Sequence, residues 1–298
     1  MPGTHGCQAL LFDCGSVSVP MRRLLFLAVP LAALAVTATA TGRQAANCPT
    51  VSAGTLTIGT DNPAYPPWFG GDQGHSWKIS DPYSGKGYES AVAYAVAKQL
   101  GYARAKVKWV YTPFNKSFAP GKKSFDFDIN QISYSPARAK VVAFSNSYYD
   151  VNQAIVALKG SKAAAARSLA GLRGYKFGVQ IGTTSYRAIL DQIKPSSKPR
   201  VYDTNDKAVF ALKTKQIDAL VVDLPTAFYV TAVQVPNGKI VGQLPARPGG
   251  EHFGMVLQKG NPLVGCVNSA LATLKRNGTL NQIRTTWLSR VVGAPVLK

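Results

Sequence analysis

The sequence predicts an α/β protein, and three observations carry that prediction. The 298 residues are 46% hydrophobic and only 16% charged, a globular composition rather than a disordered one. Strand-length apolar or alternating runs recur between longer runs with helical spacing, almost from end to end. Past the first forty residues no apolar run reaches the roughly 18 needed to span a bilayer. Such alternation builds mostly parallel sheets, and ligands then sit beyond the C-terminal ends of the strands.

The first element is not part of the fold. Met21 to Ala40, "MRRLLFLAVPLAALAVTATA", has a basic start at Arg22 and Arg23, an apolar stretch from Leu24 to Val36, and a small-x-small end at Ala38-Thr39-Ala40. That is the layout of an export signal. Residues 1–20 do not fit it, so Met21 is the expected start, and residues 1–40 form an upstream segment plus signal peptide. A lipid anchor is not expected, because Cys48 follows Asn47 rather than a small residue.

Beyond a polar stretch over 41–53, "GTLTIGT" alternates Leu56 and Ile58 with threonines and reads as a strand. "DNPAYPPWFGG" can only be a loop. "YESAVAYAVAKQLG" is a helix with Val92, Val96 and Leu100 on one face and Gly101 as its stop. "KVKWVY" is a strand, and "FDFDINQIS" a short strand entering a polar turn. In the second half, "YKFGVQIGTTS" is strand, turn and helix start. "RVYDTND" is strand then cap, "KAVFALKTKQ" a helix, and "IDALVVD" a buried strand. "LPTAFYVTAV" is a helix with Pro225 in its first turn, where proline is tolerated. Val267, Leu271 and Leu274 share a helical face, Asn277-Gly278 supplies a left-handed cap, and Leu280, Ile283 and Trp287 share the next face. "NQAIVALKG" and "FGMVLQKG" read as strands crossing between two cores. They divide the chain into a first lobe of 54–151 plus 252–298 and a second of 152–251.

Several chemistries lack their signatures. No HExxH, CxxC, GxSxG, P-loop or GxGxxG occurs, so no metal, cofactor or catalytic nucleophile is expected. Cys7 and Cys14 precede the signal's cleavage point, which leaves Cys48 and Cys266 to form one disulfide outside the cytoplasm. The net charge is +20, and +19 once Arg22, Arg23 and Asp13 are gone. The basic residues are scattered, so the charge is read as solvated surface and not as a nucleic-acid site.

Three motifs suit a small zwitterion. "SYSPARAK" carries Ser133 and Ser135 ahead of Arg138, whose planar fork matches a carboxylate. "GVQIGTTS" ends a strand at Gly182 and opens a helix at Thr183, Thr184 and Ser185, where free N–H groups favour an anion. "IDALVVDLPTA" puts Asp223 at the end of an apolar strand, able to hold an ammonium or to cap the next helix. Tyr65 and Trp68 follow the first strand and suit a side-chain wall or simple loop packing.

With these motifs in this order, the chain resembles the periplasmic polar-amino-acid-binding proteins of ABC importers (bacterial extracellular solute-binding proteins, family 3). "GTLTIGTDNPAYPPW", "GKGYESAVAYAVAKQLG", "FDFDINQISYSPARAKVVAFSNSYY", "GVQIGTTS", "QIDALVVDLPTAFY" and "NGTLNQIRTTWL" carry the likeness, from about Gly54 to Leu288. The resemblance implies a type II periplasmic-binding-protein fold, two lobes joined by two hinge strands. It implies that Arg138 grips an amino acid's α-carboxylate with Ser133, Thr183, Thr184 and the backbone near Gly182, and that Asp223 receives the α-ammonium. Asp61, Tyr65, Trp68, Asn130 and Gln131 are implied as further ligand contacts. The implied partners are a small-molecule amino acid and a membrane permease, with a monomeric receptor outside the cytoplasm. The chain departs from the family pattern by an extra residue before Tyr65, by the polar stretch "GGDQGHSWKISDPYSGK", and by bulky Asn130 and Gln131. Two other readings share the scaffold. One is an exported dehydratase or peptidoglycan-cleaving enzyme, with Glu89, Asp126, Asp128 or Glu251 as general acid. The other is a ligand-sensing subunit for a separate membrane partner.

Overall fold

The computed structural model describes residues 48–289 and 293–298; the expected signal segment, with Cys7 and Cys14, lies outside them. In chain order the first half runs β1 (Leu56–Thr60), α1 (Tyr88–Gln99), β2 (Val107–Tyr111), α2 (Phe114–Ser117), β3 (Phe127–Asp128), α3 (Pro136–Ala139), β4 (Val142–Phe144) and β5 (Tyr149–Val151). Then come β6 (Gln153–Leu158), β7 (Phe177–Gln180), α4 (Thr184–Ala188), β8 (Arg200–Tyr202), α5 (Asn205–Lys213), β9 (Ala219–Asp223), α6 (Leu224–Tyr229) and β10 (Gly238–Gln243). The chain closes with β11 (Glu251–Phe253), β12 (Val256–Gln258), α7 (Leu263–Arg276) and α8 (Thr279–Leu288).

The strands form two five-stranded sheets, ordered β2-β1-β3-β12-β4 and β10-β6-β9-β7-β8. The chain passes from the first to the second through β5 and returns through β11, and these two pair antiparallel from Glu251↔Val151 to Phe253↔Tyr149. Mostly parallel sheets were expected, and both are mixed instead. β1 pairs parallel with β2 and β3, and β7 with β8 and β9, as strand–helix–strand units require. The strands next to the crossings enter the other way: β12 lies antiparallel to β3 and β4, and β6 to β9 and β10. A strand that arrives straight from a crossing starts at the edge where the parallel strands end, so it runs against them.

One face of the first sheet carries an aromatic-rich core. Ile58, Trp109 and Phe127 meet Val92 and Val96 of α1, Val267, Leu271 and Leu274 of α7, and Leu288 of α8. These are the helical faces that the spacing predicts. The second sheet is buried on both sides. Ile155, Phe177, Val179 and Val221 face one aliphatic core, and Ala154, Val156, Leu220 and Val222 face another that includes α5 and α6. Gly278 is left-handed (φ 78°) between α7 and α8, as its cap position demands. Cys48 and Cys266 are joined, with Cα atoms 6.1 Å apart, so the disulfide ties the first described residue to α7.

The end of the chain departs from the expected 252–298 assignment. Leu297 is buried in the second core, and Val296 pairs with Gln243 along the outer side of β10. The Gln243 amide donates to the Pro295 carbonyl (2.8 Å), and the Leu297 amide donates to the Gln243 carbonyl (2.9 Å). An exposed sheet edge offers unpaired backbone groups, and residues 294–298 cover this one. The chain therefore reaches the second core a second time.

Candidate functional site

A cavity of about 280 Å³ lies between the two sheets, where the ends of β1, β3, β7 and β9 converge. Every residue implied above as a ligand contact lines it except Gly182. The cavity joins the two lobes, so each contact across it has one partner on each sheet.

At one end stands Arg138, in the short helix α3 that Ser135 caps by accepting the Arg138 amide (3.2 Å). Its guanidinium is buried against Phe118, 4.2 Å from the ring centre. One nitrogen donates to the Ser133 carbonyl (2.5 Å) and another to the Gly182 carbonyl of the second lobe (2.7 Å). Among the described residues no carboxylate pairs with it, and burial pulls it down to about 10, opposed by Glu251 and Asp223. The Gly182 carbonyl thus serves as an acceptor for Arg138 across the lobes. The residue is left-handed (φ 77°), and a Cβ there would stand 2.2 Å from Asn115 Oδ1, so any other residue would be strained and would displace the Asn115 side chain.

Asp223 faces Arg138 from the end of β9. It heads α6 without capping it and instead accepts from Gln153 Nε2 (2.6 Å). Burial, then the negative charge of Glu251, push its carboxyl well above the usual range. Sequence reasoning named Glu251 only as a general acid for the enzyme reading and not as a contact in the amino-acid site. It sits on the crossing strand β11 and accepts from Ser133 Oγ (2.6 Å), Thr184 Oγ1 (2.5 Å) and Gln153 Nε2 (3.1 Å). Hydroxyls from both lobes therefore meet on one carboxylate. The only signal was an acid immediately before "HFGMVL". Thr183 does not cap α4 with its side chain, because its hydroxyl turns back to the Gln180 carbonyl (2.8 Å).

At the other end, Tyr65 donates across the cavity to Asp206, and its ring lies 5.8 Å from that of Tyr229. Trp68 is 1% exposed and packs edge-on against Tyr149 and Phe253, with Nε1 donating to Thr226 Oγ1 of the second lobe (3.1 Å). It is both core and cavity wall. Asp61 accepts from the Asn62 amide (2.8 Å), and burial raises its carboxyl. The polar stretch after this loop folds back on it: Ala64 bridges Ile79 and Ser80, and Trp77 is buried.

Asn130 and Gln131 form the floor. Gln131 is left-handed (φ 48°) and held there by Glu89 of α1, which accepts from the Gln131 amide (2.7 Å), from its side-chain amide and from Tyr148. Asn130 is buried and its Nδ2 has no partner. The remaining carboxyls weighed as general acids, Glu89, Asp126, Asp128 and Glu251, are not among the residues lining the cavity. Among the described residues no cluster of His, Cys, Asp and Glu could hold a metal, and no helix is long and apolar enough to cross a membrane.

Comparison with known proteins agrees with this geometry. The family model for bacterial extracellular solute-binding proteins, family 3, matches residues 56–290. The L-cystine-binding protein TcyJ of Escherichia coli (strain K12) is 31% identical over 82% of this chain and 85% of its own length. ABC transporter arginine-binding protein 1 of the same organism is 28% identical over 67% of this chain and 81% of its own. An ancestral arginine-binding protein solved with bound glutamine superposes with a TM-score of 0.65 at 32% identity, covering 79% of this chain and 98% of that one.

Proposed function

Since the chain belongs to the bacterial extracellular solute-binding proteins, family 3, we propose that it is the amino-acid receptor of an ABC-type importer. It works outside the cytoplasm as a monomer, closes on one amino acid, and hands it unchanged to a membrane permease. The Cys48–Cys266 bond suits an oxidising compartment. The lobes are proposed as 54–151 with 252 to about 289, and 152–251 with the terminal 293–298. β5 and β11 are their hinge.

One observation carries the reading: Arg138, buried, and Asp223, partly buried, come from opposite lobes and line one cavity, with no ion pair of their own among the described residues. An α-amino acid supplies a carboxylate for one and an ammonium for the other. Opening exposes both groups to water. Closing strips that water away and is favourable only when the guest replaces it. Glu251 would then set the closed geometry, because it gathers Ser133, Thr184 and Gln153 around the clamp. A receptor is favoured over an enzyme because the four carboxyls named for the enzyme reading, Glu89, Asp126, Asp128 and Glu251, do not line the cavity, and the aspartates that do are accounted for as ligand contacts.

Calorimetry with the best ligand from an amino-acid screen tests this. Arg138→Ala and Asp223→Asn should each cost roughly 2–5 kcal/mol of binding with the fold intact. Either variant binding within about threefold of wild type places the ligand elsewhere. Recovery of a chemically altered amino acid would favour the enzyme reading.

A further inference from the structure

The amino-acid reading accounts for one positive and one negative group on the guest and leaves two carboxylates over. The charged residues lining the cavity are Asp61, Asp203, Asp206, Asp223 and Arg138. A guest's α-carboxylate neutralises Arg138 and its α-ammonium neutralises Asp223. Asp203 is exposed and paired with Lys207 at 2.7 Å. Asp61 and Asp206 remain, one from each lobe, and among the described residues neither has a salt-bridge partner. In a chain of net charge +20 this end of the cavity is acidic.

Their surroundings are incomplete in a particular way. Asp206, in the first turn of α5, accepts from Tyr65 and from Gln234 Nε2 (3.0 Å). The other end of that Gln234 amide, Oε1, is buried without a donor. Asp61 accepts from the backbone amides of Asn62 and Phe114, and burial first and then the charge on Asp206 push its carboxyl up. Two like charges brought together in a partly dry cleft repel, and the repulsion grows as the lobes close. An unpartnered acceptor beside them calls for a donor-rich guest. The Tyr65 and Tyr229 rings offer such a guest flat faces.

We infer that the bound amino acid has a cationic side chain, and that Asp61 and Asp206 form a second clamp across the lobes around its guanidinium or ammonium group. Gln234 Oε1 accepts one more of its protons. A neutral side chain leaves the two carboxylates facing each other and resists closure. The inference rests on the amino-acid site proposed above.

The test is a calorimetric titration of the mature protein with L-arginine and with L-citrulline, which has the same length and shape but a neutral ureido group. Arginine should bind at least about 30-fold more tightly than citrulline. Asp206→Asn and Asp61→Asn should each weaken arginine about tenfold or more while changing citrulline little, so the ratio collapses. Circular dichroism checks the fold of both variants. Citrulline, glutamine or cystine binding within threefold of arginine, or more tightly, would overturn the cationic clamp yet leave the α-group anchor standing. So would a ratio unchanged in both variants. Loss of all amino-acid binding by the wild-type protein would overturn the anchor itself.

Discussion

Glu89 and Asp128 are both fully buried carboxyls of the first lobe, but their environments are opposite. Glu89 accepts from the Gln131 amide, the Gln131 side chain and Tyr148. Asp128 is far less well supported: neither oxygen has a well-formed hydrogen bond, and only the Ser117 hydroxyl lies close enough to lower its carboxyl, with the Thr112 hydroxyl also left unpartnered. Burial raises both, Glu89 to about 7 and Asp128 well above its usual value, the latter with the charges of Glu89 and Asp61 adding to the effect. The difference teaches what each acid does for the cavity. Glu89 fixes the left-handed turn at Gln131 and so shapes the floor. Asp128 shapes nothing by hydrogen bonding and persists at a cost.

The largest expected contrast comes from truncation. Glu89→Ala strands three donors and leaves a void, so it should lower stability by roughly 3–5 kcal/mol in urea unfolding and loosen ligand binding with it. If binding and stability both survive, Gln131 is held by something other than Glu89. A comparable contrast should appear with pH. Folding raises Glu89 from 4.5 to about 7, so between those values the native state holds a proton that the unfolded state has lost. Stability from this group is full below about pH 4.5 and falls by about 3 kcal/mol as pH rises through 7. Glu89→Gln should flatten that slope relative to wild type, and parallel curves for the two proteins would show that Glu89 does not titrate there. The smallest effect is the reverse in sign. Asp128→Asn removes a fully buried carboxyl that only Ser117 and the distant charge of Lys123 support and supplies donors to Thr112 and Ser117, so it should stabilise by about 1–2 kcal/mol near pH 8. A loss as large as that of Glu89→Ala would erase the distinction between the two acids.

Local pattern reached as far as local physics does. The faces of α1, α7 and α8 follow from 3.6-residue spacing, and Gly278 from the need for a left-handed cap. Arg138 and Asp223 each close a recognisable strand or turn, and both line the cavity. What the pattern hides is pairing at a distance. Nothing near Glu251 announces that Ser133 and Thr184 will donate to it from 118 and 67 residues away. Asp206 looks like an ordinary first-turn acid until Tyr65 meets it from the other lobe. Gln131 has no sequence mark for its positive φ, which a side chain on another helix imposes. The mixed sheets escaped for the same reason, since strand direction depends on where a crossing delivers the chain.

The terminal residues on β10 bear on how this protein would be built into an optical sensor. Leu288 belongs to the first core and Ala294 meets the second, where its carbonyl accepts from Gln243 Nε2 (2.6 Å). Six residue steps separate them, a contour of at most about 22 Å. A fluorescent protein fused after Lys298 would ride on the second lobe, although the last helix belongs to the first. Paired with a dye on α7 it would report closure, whereas the same fusion in a chain cut after Leu288 would move with the dye and stay dark to the ligand.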